Sequence, residues 1–126
     1  MDILRWQVGD ATVLRIAELD ATPELEGLIP QFDLANVSDD AWLRPNFVDE
    51  AGRLRGLVQA FVILIGAHKI IVDPGVGNQK KRVTVPGWDN LHTDFLDQLQ
   101  AADVAPDEVD YVLNTHLHFD HLGWHT

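Results

Sequence analysis

Four of the six histidines in this 126-residue chain lie within its last eleven residues. Three of them share a short segment with an aspartate, in the order His116-Leu117-His118-Phe119-Asp120-His121. Side chains at i and i+2 of an extended segment point the same way, so His116 and His118 can offer two imidazoles to one metal ion. Leu117 and Phe119 are then expected on the opposite side, facing the core. A turn after Phe119 swings Asp120 and His121 toward a second position, and two-metal sites hold their ions about 3.5–4 Å apart. Gly123 allows a tight path just beyond. Imidazole nitrogen with carboxylate oxygen suits zinc first, and also iron, nickel or manganese. The segment therefore reads as an HxHxDH motif for two divalent metal ions.

A purification tail is a poor account of this pattern, because Leu117, Phe119, Leu122 and Trp124 interleave with the polar residues. His125 lies beyond the turn and reads as an exposed helix residue. His68 and His92 stand alone, in an expected turn and an expected helix start, without a partner at ligand spacing. They receive no role.

Thr115-His116-Leu117-His118-Phe119-Asp120-His121-Leu122-Gly123-Trp124 resembles the signature of the metallo-β-lactamase-fold hydrolases. Ile70-Ile71-Val72-Asp73-Pro74-Gly75 resembles the earlier strand-and-aspartate motif of the same superfamily, in the same order and at a fitting interval. The Gly-Trp ending and the run Asp73-Pro74-Gly75-Val76-Gly77-Asn78 are similar to the branch that contains quorum-quenching lactonases and organophosphate hydrolases. Members that reduce oxygen at two irons generally carry Glu where this chain has His118, and one β-lactamase subclass lacks a histidine at the position of His121.

The resemblance implies that His116 and His118 bind the first metal and that Asp120 and His121 bind the second. It implies that Asp73 lies behind these ligands, hydrogen-bonding the metal loop and holding its imidazoles, as outer carboxylates commonly do. On sequence alone Asp73 is equally well a carboxylate that ends a strand before a Pro-Gly turn. The implied chemistry is hydrolysis of a lactone, ester or related small substrate. Two bridging ions lower the pKa of water from 15.7 toward about 7 and so provide a hydroxide, which Asp120 would orient. Complete members also need a further histidine, a bridging carboxylate and a last histidine from a C-terminal half. The expectation is therefore a single incomplete domain over residues 1–126, inactive alone. The other readings are a half-domain that self-associates to cover its exposed core, and a non-catalytic metal-binding fragment.

The elements that must position the motif are mostly strands. Residues 3–8 and 12–18 are apolar-rich runs separated by Gly9-Asp10, which predicts a hairpin. Residues 20–46 have irregular apolar spacing interrupted by Pro23, Pro30 and Pro45, so they read as loop with one or two helical turns. Ser38 is placed to cap a short helix over 39–43. Phe32, Trp42 and Phe47 in this region are candidates for pocket walls, with packing against the core as the plainer alternative. Residues 57–65 and 69–73 read as central, buried strands joined by a turn at Gly66-Ala67-His68. Thr93 is placed to cap a helix with Phe95, Leu96, Leu99 and Ala102 on one face, ended by Pro106. Residues 110–114 read as another buried strand that delivers Thr115 and the histidines at its carboxyl end. Ligands collected beyond strand ends are common in α/β layers. The fold class is α/β, a mixed β-sheet with a flanking helix; the resemblance implies the N-terminal αβ half of an αββα sandwich.

Composition narrows the partners. Nine Lys and Arg against 20 Asp and Glu leave a formal charge of −11, which repels a phosphate backbone and argues against nucleic acid as substrate. Lys80-Lys81-Arg82 is short and reads as a solvated loop. No apolar run approaches the roughly 18 residues of a membrane span, and no charged, apolar signal segment follows Met1. The absence of cysteine excludes disulfides and thiolate ligands and fits a cytoplasmic setting. A small-molecule substrate remains, with a homo-oligomer as the expected assembly if exposed sheet must be covered.

Overall fold

Apolar-rich runs build the strands of one sheet. The computed structural model describes residues 1–30 and 41–125. Five strands, β1 (Leu4–Val8), β2 (Ala11–Asp20), β3 (Leu57–Ile65), β4 (His68–Val72) and β5 (Tyr111–Leu113), lie side by side in that order in one sheet. β1 and β2 pair antiparallel through a two-residue turn, with Val8 opposite Ala11 and Gly9 at φ 57°. β3 and β4 form a second antiparallel hairpin, with Ile65 opposite His68. The turn there is Gly66-Ala67, and His68 already belongs to β4 rather than to the turn expected for it.

β5 runs parallel to β4, with Ile70, Ile71 and Val72 opposite Tyr111, Val112 and Leu113. Parallel neighbours need a crossover, and the intervening segment carries helix α2 (Phe95–Ala101). The chain divides into two compact units, one formed by Met1–Leu19 with Val58–Thr126 and the other by Asp20–Leu57.

The core belongs to the first unit. Leu14, Ile16, Ala60, Val62 and Ile71 from the sheet are buried with Phe95 and Leu99 of α2 and Val104 behind it. α2 does not present the expected face: Leu96 is exposed, and Gln98 is buried in its place. The Gln98 NH2 group donates to the Ala17 carbonyl at 3.0 Å and to Asp94 Oδ1 at 2.7 Å, so a polar residue sits inward with its donors paired. Thr93 does not cap this helix. The N-cap is Asp94, and the Thr93 hydroxyl turns instead to Asn78 Oδ1 at 3.1 Å.

Two further expectations fail at the sheet. β5 is expected to be buried, but Tyr111, Val112 and Leu113 are all exposed on a strand at the sheet edge, since among the described residues no layer covers both of its faces. β3 buries Val58, Ala60 and Val62, whereas the alternate residues Phe61 and Ile63 are only half-buried. The sheet is thus dry on the side that α2 covers and partly wet on the other.

Among its described residues the second unit contains helix α1 (Thr22–Leu28) and a 3-10 turn at Ala41–Leu43. Pro23, read from sequence as an interruption, stands in the first turn of α1, where a missing N–H costs nothing. Gly56 closes this unit: its N–H reaches Thr22 Oγ1 and its carbonyl accepts from Ala21. Trp42 and Phe47 are 67% and 53% exposed and meet each other edge to face at 5.8 Å, so neither packs into a core. Phe32, Ser38 and the first two residues of the helix expected over 39–43 lie outside the described residues, and its last three, Ala41–Leu43, form the 3-10 turn. Among the described residues no helix is long and apolar enough to cross a membrane.

Candidate metal centre

The parallel pair β4 and β5 delivers two loops to the same end of the sheet. β4 ends at Val72, and Asp73 follows in the left-handed region at φ 51°, which a short polar side chain tolerates. Its N–H continues the ladder to the Leu113 carbonyl at 2.9 Å. β5 then releases Asn114, Thr115 and the histidine segment. The Asp73 carboxylate reaches across: Oδ1 accepts the Thr115 N–H at 2.8 Å, and Oδ2 accepts the Thr115 hydroxyl at 2.7 Å. Burial pushes the Asp73 carboxyl up, but the Thr115 hydroxyl and N–H, with His121 beside them, outweigh this and hold it below the ordinary carboxylate range.

The rings of His116 and His118 come together at 4.6 Å between centroids, and those of His116 and His121 at 4.0 Å. Thr115 Oγ1 stands 3.0 Å from His116 Nδ1. The hydroxyl has one proton and gives it to an acceptor-only carboxylate, so toward His116 it must accept. In a neutral ring this contact places the proton on Nδ1 and leaves the Nε2 lone pair for a ligand. His121 Nδ1 lies 3.2 Å from Asp73 Oδ2 yet is buried without hydrogen-bond geometry to any partner. The two atoms approach closely without the alignment of a hydrogen bond. On the other side of the ring, His121 Nε2 is 3.3 Å from Asp120 Oδ2.

That last spacing tests the fit of a metal. Tetrahedral zinc with bonds of about 2.0–2.1 Å holds neighbouring donor atoms roughly 3.3 Å apart, which is the separation of Asp120 Oδ2 and His121 Nε2. Two donors therefore stand at ligand spacing, and the donor chemistry suits a borderline divalent cation. Among the described residues no three histidine or acidic side chains form a ready metal-holding group.

The histidine segment is not an extended strand. Residues 115–121 run through bends and turns, which leaves Leu117 81% exposed instead of facing the core. Phe119 does turn inward, edge to face with the buried Trp88 at 5.8 Å. The Arg82 guanidinium lies 5.0 Å over the Phe119 ring, so Arg82 is not the freely solvated residue expected of the Lys80-Lys81-Arg82 run. His125 is exposed on the 3-10 turn Gly123–His125, and His92 is exposed as well.

The two loops are locked backbone to backbone. Gly123 N–H donates to the Gly75 carbonyl at 2.7 Å, and Trp124 N–H donates to Pro74 at 3.0 Å. A Cβ on Gly123 would fall 1.9 Å from the Val76 oxygen, so only glycine allows this approach. The Asn114 side-chain amide donates to the His121 carbonyl and closes the histidine segment into a loop.

The sequence of residues 53–126, more than half of the chain, matches the Metallo-beta-lactamase superfamily. The chain belongs to this superfamily. Its five-stranded mixed sheet and helices form part of the metallo-beta-lactamase fold, shared with solved structures at low identity. One is AidC, a dizinc quorum-quenching lactonase, with TM-score 0.63 and 18% identity over 96% of this chain and 38% of that one. Another is a probable metal-dependent hydrolase from Staphylococcus aureus, with TM-score 0.61 and 21% identity over 92% and 41%. A third is the hydrolase AbOPH of the beta lactamase superfamily, with TM-score 0.59 and 19% identity over 95% and 38%. The chain spans about two fifths of the length of each. No curated protein matches its sequence.

Sequence reasoning passed over Glu18 and gave Thr115 no role. A signal for Glu18 existed: it follows Leu14 and Ile16 at period two on β2, so strand alternation turns it inward with them. All three are buried.

Proposed function

We propose that the whole protein is a di-metal hydrolase, with zinc as the foremost metal, acting on a lactone, ester or related small molecule. The observation that carries this reading is the 3.3 Å spacing of Asp120 Oδ2 and His121 Nε2 beside the gathered His116 and His118 rings. His116 and His118 would hold one ion, and Asp120 and His121 the other. The remaining ligands are proposed to come from sequence beyond this chain, in keeping with its coverage of about two fifths of its structural neighbours. When bound, such ions supply Lewis acidity toward a carbonyl oxygen and acidify water. Asp120 orients the attacking water by accepting a hydrogen bond from it. Asp73 and Thr115 keep the His116 Nε2 lone pair facing the ligand position.

The formal charge of −11 supports a small substrate over nucleic acid. The test is hydrolysis of a panel of lactones, carboxyl esters and phosphotriesters by the zinc-loaded full-length protein. At least one class should turn over, and Asp120→Ala should abolish it while preserving the fold. A metal-loaded, folded protein that cleaves none of them would defeat the reading. A second reading, self-association of this half-domain, is favoured by exposed Tyr111, Val112 and Leu113 on the edge strand. It requires a dimer by analytical ultracentrifugation.

A further inference from the structure

Glu18 is a carboxylate only 4% exposed, on the inward face of β2, and it has no place in the chemistry described so far. Its two oxygens collect donors from both loops of the candidate centre. Oε2 accepts the Val76 N–H at 2.6 Å, and Oε1 accepts the Gly77 N–H at 3.1 Å. Oε1 also accepts the Trp124 indole N–H at 2.7 Å. The Thr93 hydroxyl stands 3.4 Å from the same oxygen, with its proton shared toward Asn78. Gly75 leaves the room, since a Cβ there would fall 2.0 Å from Glu18 Oε2.

We propose that Glu18 is a positioning residue for the metal-ligand segment, fixing the loop that carries Asp73 against the loop that carries His116, His118, Asp120 and His121. The proposal rests on the di-metal reading of those four residues. Val76 and Gly77 follow Asp73 by three and four positions, and Trp124 follows His121 by three. One rigid group thus grips the downstream flank of each loop at once. A carboxylate is required by its hydrogen-bond inventory: it is acceptor-only, with about four lone-pair positions, and every partner here is a donor. Burial without those donors would be costly for the charge, so the contacts and the carboxylate require each other. A glutamine keeps the shape but must aim an NH2 group at either the Val76 N–H or the Gly77 and Trp124 donors.

Imidazole NMR signals of His116, His118 and His121 in the full-length protein, recorded without metal and during zinc titration, separate positioning from mere support of the fold. Among the described residues, the hydrogen-bond partners of Glu18 are Val76, Gly77, Thr93 and Trp124 and not these rings. In Glu18→Gln, with its far-UV circular dichroism like wild type, all three sets of signals should shift before metal is added. Zinc affinity measured well below the unfolding midpoint should fall by about tenfold, the lower end of what losing an outer partner costs a metal site. Superimposable signals and unchanged affinity in folded Glu18→Gln overturn the proposal. Should that variant not fold, Trp124→Phe removes only the indole arm and should give the same ring shifts with a smaller loss of affinity; unmoved signals there overturn it equally. Glu108→Gln, on an exposed turn before β5, serves as the control and should leave the rings unmoved. Wild-type rings that ignore zinc would sink the di-metal reading, while the metal-free shifts would still decide whether Glu18 positions them.

Discussion

The two ends of the β4–β5 pair use the same residue types to opposite effect. At the amino end, the Asp110 carboxylate accepts the Lys69 N–H at 2.8 Å and sits 3.6 Å from His68 Nδ1, with those side chains 57% and 43% exposed for His68 and Asp110. Lys69 Nζ adds Glu108 at 2.6 Å and the Asp103 carbonyl at 3.1 Å. At the carboxyl end, Asp73 accepts a backbone N–H and a hydroxyl and approaches His121 at 3.2 Å, with side-chain exposures of 12% and 27% for Asp73 and His121. Each end joins a histidine, an aspartate and the strand ladder. At the wet end, solvent competes for every charge and the pairs contribute little. At the drier end the carboxylate is held by donors on a neighbouring loop, so its loss strands them. Burial, rather than residue type, separates an ion-paired corner from a structured site.

The sharpest way to break this contrast is to force the carboxyl-end loops apart. Gly123→Ala places a methyl 1.9 Å from the Val76 oxygen, against backbone that cannot swing aside. It should destabilise the protein by about 3 kcal/mol, the upper part of the range for overpacking, measured by urea unfolding. A midpoint like that of wild type would mean that the loops are not locked.

Exchanging the two aspartates sharpens the comparison directly. Asp73→Ala leaves the Thr115 N–H and hydroxyl without their acceptor and should cost about 2 kcal/mol, while Asp110→Ala at the exposed end should stay within about 0.5 kcal/mol. Equal losses in the two variants would erase the difference between the ends.

The smallest effect concerns Glu108. The Lys69 ammonium hydrogen-bonded to Glu108, then the Ala105 N–H, hold its carboxyl below its ordinary value of 4.5. A carboxylate depressed on folding stabilises the native state above its unfolded value and loses that contribution as pH falls through the native one. Glu108→Gln should therefore lower the unfolding midpoint slightly at neutral pH, with the gap closing on acidification. High salt should shrink the gap too. A gap that persists in both conditions would show that the amino end is more than a solvated corner.

Much of the scaffold was legible because its signals are local. Gly9-Asp10 between two alternating runs is enough for the first hairpin, and the apolar run 57–65 with Gly66 is enough for the second. The histidine cluster was legible for the same reason, since its donors lie within six residues of one another. Where sequence reading failed, the deciding neighbour was distant. Leu96 fits an apolar helical face as well as Gln98 does by position, but the Ala17 carbonyl 81 residues earlier gives Gln98 a reason to be inside. Thr93 has the chemistry of a cap, yet Asn78 claims its hydroxyl. β5 has the composition of a central strand and lies at an edge, because strand order is a property of the assembled sheet.

The sequence alone determined which imidazoles and carboxylates lie close along the chain and which short runs become strands, because both depend on near neighbours. Only the tertiary structure decided which end of the sheet is dry and which hydroxyl meets the His116 ring. It alone showed that Glu18, 106 residues before Trp124, joins the two loops. Those outcomes depend on burial and on donors meeting acceptors through space, and neither is set until the chain has folded.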